Sequence, residues 1–120
     1  MRAGAKNMRR TKNEKLHIAL ATHSLDKSLT DYTVRLGVES CVVVAGVYAL
    51  WRTETLNISI KVDTNCKPGE LRHLGLEDPE ATEFSVETDV NGIVWERFNT
   101  KHQAEEINAA WPETKYVPKT

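Results

Sequence analysis

The chain has 120 residues, 40 % of them apolar and 28 % charged, with a net charge of −1. Those values suit one domain around one modest core and exclude a disordered chain. No apolar run approaches the roughly 20 residues that cross a bilayer, and with two cysteines and no apolar leader the chain reads as cytoplasmic, its thiols reduced.

Residues 1–15 carry six Lys or Arg against Glu14 alone, so this stretch is +5 while the remainder is −6. A basic arm suits nucleic acid, but the acidic body and the lack of interleaved aromatics argue against it, and a flexible, solvated tail is expected. Leu16 to Ala21 alternates like a strand. Ser24 then stands as an N-cap with Asp26 in the first turn, Leu25, Leu29, Tyr32 and Leu36 form one apolar helical stripe, and Gly37 is the expected C-cap.

From Cys41 the texture is β. Cys41–Val44 is β-branched, with Cys41 expected buried, and Ala45-Gly46 turns into a strand over Val47–Arg52. Leu56–Ile60 alternates with period two. The unit so far is β-α-β-β-β. Cys66 falls in a turn and is expected exposed. After Pro68-Gly69 comes a strand over Leu71–Leu76, then an acidic link (Glu77, Asp78, Glu80, Glu83) expected to be solvated. Strands over Glu83–Asp89 and Ile93–Asn99 flank Asn91-Gly92, a two-residue hairpin signal. Lys101–Trp111 is the last helix, stopped by Pro112.

Side-chain parity selects the candidate chemistry. His17 shares a strand face with Ala19 and Ala21, opposite Leu16, Ile18 and Leu20. His73 shares one with Gly75, opposite Leu74 and Leu76, and Glu96 shares one with Val94 and Phe98. If these faces line one concave sheet, two imidazoles and a carboxylate converge, a donor set that suits Fe(II), Mn(II) or Zn(II) and leaves positions open. The alternative is that each histidine is a hydrogen-bonded core or rim residue. Asn57 and Ser59 share a face, which either hydrogen-bonds a polar substrate or meets solvent. His23 and His102 are expected to be solvated.

Three stretches carry a resemblance. His17-Ile18-Ala19-Leu20 with Ser24-Leu25-Asp26-Lys27-Ser28, then Leu71-Arg72-His73-Leu74-Gly75-Leu76, then Asp89-Val90-Asn91-Gly92-Ile93-Val94-Trp95-Glu96 occur in the order seen in the vicinal oxygen chelate superfamily, which includes glyoxalases, bleomycin-resistance proteins and extradiol dioxygenases. The chain resembles that superfamily over about residues 16–99. The resemblance implies an α+β fold in which a glyoxalase-like βαβββ module is followed by a second module, the curved mixed sheet forming a cup, with residues 16–120 as a single domain.

It also implies metal ligands at His17, His73 and Glu96, with Fe, Mn, Zn or Ni as the ion, and a homodimer. The 22 residues between His73 and Glu96 are too few for a complete module, so the second is expected to be truncated. The C-terminal helix would then take the lost helix's place, or a second copy of the chain would cover the gap. Two functions follow: a metal-dependent lyase, isomerase or dioxygenase acting on adjacent oxygens, or a metal-free protein that sequesters a small molecule. The first places Asn57 and Ser59 beside substrate, and the second adds Phe98, Tyr48, Trp51 and Trp95 as contacts. A nucleic-acid or acidic partner for the basic arm ranks third.

Overall fold

Alternating side chains at Leu16, Ile18 and Leu20 against His17, Ala19 and Ala21 make an extended segment that can bury both of its faces. It forms the central strand. The computed structural model describes residues 13–119, so the basic tail expected over residues 1–15 lies mostly outside the described residues. Its last residue, Lys15, opens β1 (Lys15–Thr22), and Glu14 is buried against Arg97.

The first helix, α1 (Leu25–Leu36), begins where Ser24 Oγ accepts from the Lys27 N–H, and ends at Gly37, whose φ of 73° few other residues adopt without strain. The strands β2 (Val42–Val44), β3 (Tyr48–Arg52), β4 (Leu56–Val62), β5 (Leu71–Glu77), β6 (Ser85–Thr88) and β7 (Val94–Phe98) follow, then α2 (Thr100–Ala110) and a short 3₁₀ turn, Pro112–Thr114. The fold is therefore α+β, with an open mixed sheet of seven strands in the order β2-β3-β4-β1-β5-β7-β6.

The order is nearly symmetric about its middle. β1 and β5 pair antiparallel, and each has the last strand of its own half parallel beside it, β4 beside β1 and β7 beside β5. The preceding strand of each half lies antiparallel further out. The first half is thus β-α-β-β-β and the second is β-β-β followed by a helix.

The sheet's two faces are covered by different helices. α1 lies over Ala49, Trp51 and Ile60 with Leu29, Tyr32 and Leu36 facing them. On the other face Ile107 of α2 packs with Val42, Tyr48 and Leu50, and Trp111 lies 4.9 Å from the Tyr48 ring. The second helix therefore does not occupy the place, on the same face as α1, where a helix lost from the second half would lie. Its stripe of Gln103, Ile107 and Trp111 matches the apolar row of the opposite face. On the α1 face, Leu16, Ile18, Leu56 and Leu74 remain only half-buried.

Several local expectations change. The hairpin is longer than two residues, because Asp89 caps it: its Oδ1 accepts from the N–H of Asn91 and Ile93, and its Oδ2 from Trp95 Nε1. Glu77 and Asp78 are not solvated but buried, ion-paired with Arg52 and Arg97 respectively. Both thiols are free, but Cys41 is exposed and Cys66 half-buried, the reverse of expectation. Cys41 precedes β2 rather than lying inside it. His102 caps α2, its Nδ1 accepting from the Asn99 N–H in a capping box. His23 is hydrogen-bonded to the Cys66 carbonyl.

Candidate metal centre

The register brings the three candidate ligands together. His17 pairs with Gly75 across β1 and β5, and Gly75 with Glu96 across β5 and β7, while His73 lies two residues along from Gly75. All three side chains therefore rise from one face of three adjacent strands. One ligand atom from each lies within 4.8 Å of the others. His17 Nε2 and His73 Nε2 are 3.0 Å apart, and His73 Nε2 is 3.2 Å from Glu96 Oε1.

Gly75 is the middle of this arrangement. A Cβ there would stand 2.5 Å from the Glu96 carbonyl oxygen and 3.2 Å from Cδ2 of the His17 ring. Its missing side chain is the space into which the imidazole lies and against which β7 closes.

Behind His17 is a buried polar network. Its Nδ1 lies 2.8 Å from Asn57 Oδ1, and the Asn57 amide nitrogen donates to Glu77 Oε1 and to Gln103 Oε1, both at 2.8 Å. Glu77 in turn holds Arg52 through two bonds of 2.8 Å. Because Asn57 Nδ2 is occupied with two acceptors, Oδ1 faces the imidazole, so His17 Nδ1 carries the hydrogen and Nε2 presents its lone pair. Burial lowers the pKa of His17, and neighbouring His73 adds to this against the Asn57 hydrogen bond. The ring is therefore neutral at pH 7.

This donor set fits a divalent ion. Ligand atoms at about 2.0–2.2 Å from a shared ion stand roughly 3–4 Å from one another, the range of the two short separations above. Two imidazoles and one carboxylate on one side leave the remaining positions open.

A cavity of about 350 Å³ lies between this face and α2. Ser59 and Phe98 line it, as the sequence suggested, and so does Tyr48. Asn57 does not: it is fully buried behind His17 and orients that ring rather than meeting a ligand. Trp51 points to the opposite face, where its Nε1 donates to Thr33 Oγ1, and Trp95 is turned to that face by alternation with Glu96. The aromatic residues on the cavity side are Tyr48, Phe84, Phe98 and Trp111.

Four polar lining residues escaped the sequence reading: Lys61, Arg72, Gln103 and Glu106. Lys61 was accessible by extending the parity of Asn57 and Ser59 by two residues. Gln103 and Glu106 were not, because nothing in the sequence says which face α2 covers. Burial, and then the proximity of Glu96, raises the Glu106 carboxyl above its ordinary pKa.

No family model matches the chain, and no curated protein does. Among solved structures it is similar to a chain described as NAD-dependent benzaldehyde dehydrogenase from Legionella pneumophila. The two share 12 % identity at a TM-score of 0.47, over 70 % of this chain and 97 % of that one. A likeness of that size transfers neither fold nor function. No described helix is long and apolar enough to cross a membrane.

Proposed function

We propose that the chain is a vicinal-oxygen-chelate-like protein, glyoxalase-like in architecture, that binds one divalent ion at His17, His73 and Glu96 and acts on a small molecule with two adjacent oxygens. The observation that carries this reading is the convergence of three donor atoms from three strands onto one point of a cavity wall. The near-symmetric strand order supports it too: a β-α-β-β-β half meets a shortened second half, and ligands from β1, β5 and β7 are the first strands of the two halves and the last of the second.

When bound, such an ion supplies Lewis acidity to oxygen atoms that develop negative charge. The chain's own residues do the rest. Asn57 fixes the His17 tautomer, and the Glu77–Gln103 pair fixes Asn57. Ser59 offers a hydroxyl to a polar substrate atom, and Phe98, Tyr48 and α2 exclude water. A lyase, isomerase or dioxygenase would use the same arrangement. By the same resemblance the chain pairs as a homodimer, its half-buried row of Leu16, Ile18, Leu56 and Leu74 being the apolar surface a second copy would cover.

A second reading has an observation of its own. The pairs His17–His73 and His73–Glu96 lie at hydrogen-bonding distances, so the three groups satisfy one another without an ion. That favours a metal-free protein that sequesters a small molecule.

Elemental analysis of untagged protein, with calorimetric titration of Mn(II), Zn(II), Ni(II) and anaerobic Fe(II), separates the two. One ion per chain, with affinity falling at least 100-fold in His73→Ala, is the expected result. A folded protein that takes up none of the four ions sinks the metal reading.

A further inference from the structure

The cavity contains a second pole that the metal site does not use. Lys61 on β4 and Arg72 on β5 both line it, both are half-buried, and neither forms an ion pair with any described residue. A guanidinium and an ammonium withdrawn partly from water without an anion are destabilising unless a partner arrives.

Their placement is a built feature of the sheet. Lys61 pairs with Ala21 across β4 and β1 and continues the face of Asn57 and Ser59. Arg72 has the wrong parity for that face, since His73 already points into the cavity. The β1–β5 ladder, however, breaks register between Ala19 and Leu20, whose partners are His73 and Leu71. Arg72 is the extra residue of this bulge, and the bulge turns two successive β5 side chains to the same side.

Between the two cations β1 presents only Ala19 and Ala21, both buried, so nothing large separates them. The cavity's carboxylates lie elsewhere. Glu96 pairs with Gly75 at the level of His17, and Glu106 interacts with Glu96 and His73. By register, Lys61 stands four residues along β4 from Asn57, the partner of His17, or about 13 Å at 3.3 Å per residue. Arg72 lies between the two levels. The wall alongside is aromatic, with the Trp111 ring tilted against Tyr48, itself the partner of Lys61.

We infer that this pole is an anion subsite, and that the cavity takes a small organic acid: its carboxylate held by Lys61 and Arg72, its apolar body against Tyr48 and Trp111. The inference rests on the proposed function only in assigning the acid's far end to the metal centre; the subsite itself needs no ion. Arg72 provides a planar fork for two carboxylate oxygens, and Lys61 a point charge from β4, on the other side of β1.

The test uses three molecules of one shape and different charge: phenylacetate, 2-phenylethanol and phenethylamine. Each is titrated calorimetrically into the full chain with excess EDTA, so that the fate of the metal reading does not enter. Phenylacetate should bind at least tenfold tighter than the alcohol, and the amine weakest. Lys61→Met/Arg72→Met should erase the preference, and raising the salt concentration should weaken phenylacetate alone.

The same double variant should take up metal as the parent does, which keeps failure here distinct from failure of the triad. If that variant melts early, Lys61→Gln and Arg72→Gln, each polar but uncharged, replace it and should each reduce the preference. Equal binding of acid and alcohol, no binding of phenylacetate, or a preference that survives the substitutions would overturn the inference.

Discussion

Asn57 is the residue on which the site's geometry turns, although it touches no ligand. Its amide joins three partners that come from different parts of the chain: His17, Glu77 and Gln103. Replacing it by Ala leaves the imidazole N–H only the longer contact to the residue 57 carbonyl, and takes a buried donor from the Glu77 carboxylate and from the Gln103 amide oxygen. A buried group stranded in this way costs about 1–3 kcal/mol. Asn57→Ala should therefore lower stability by at least that amount in denaturant titration. It should also weaken metal uptake by about 10–100-fold, the usual effect of losing an outer hydrogen bond to a metal-bound histidine. Asn57→Asp serves as the control, since it keeps the acceptor toward His17 while losing the donor toward Glu77. It should retain more metal affinity than Asn57→Ala and be the less stable of the two.

Among the elements, the β5–β7 contact is the one with no slack. A methyl group at Gly75 meets the Glu96 backbone and the His17 ring at once, so either β7 shifts or the imidazole turns away. Gly75→Ala should cost about 1–3 kcal/mol as overpacking, and it should lower metal affinity more than thermal stability, since Glu96 and His17 are the groups displaced. Calorimetry and thermal denaturation on the same preparation check this.

The elements were largely legible in the sequence. The Ser24 cap, the stripe from Leu25 to Leu36 and Gly37 place α1 as observed, and the period-two patterns place β1, β4, β5 and β7. Parity placed His17, His73 and Glu96 on faces distinct from their aliphatic rows, because alternation is a local property that survives into the sheet; that the three strands share one wall was implied by the resemblance alone. What could not be read was anything set by contact between distant elements: the face chosen by α2, the burial of Glu77 and Asp78 against arginines, and the bulge at Arg72. An amphipathic helix reports that it has an apolar side, not which sheet face that side will meet. Asp89 was a partial exception, since an aspartate three residues before a hairpin glycine is a known cap, and its hydrogen bonds lengthened the loop.

At the scale of the whole molecule, the buried pair of Glu77 and Arg52 links the sheet's centre to β3. Burial alone would raise the Glu77 carboxyl, but the hydrogen bonds from Arg52 and Asn57 outweigh it and hold the pKa below its ordinary 4.5. A depressed native value means the carboxylate stabilises the fold fully above about pH 4.5 and that this contribution fades as pH falls through the native pKa. Stability should therefore drop on acidification below about pH 4.5. Glu77→Gln should flatten that limb while lowering stability at pH 7, where removing one partner of a buried pair costs about 3–5 kcal/mol. Urea melts from pH 7 to pH 3 on both proteins decide it; an acid limb as steep in the variant as in the parent would refute the assignment.

The seam between β1 and β5 has one further consequence. His17 belongs to the half before it, His73 and Glu96 to the half after it, and Lys61 and Arg72 are divided in the same way. No folding intermediate containing a single half possesses either pole, so occupancy requires complete folding. Whatever binds there works as a rivet through the joint, favouring the fully assembled chain over every half-built form by RT ln(1 + [L]/Kd).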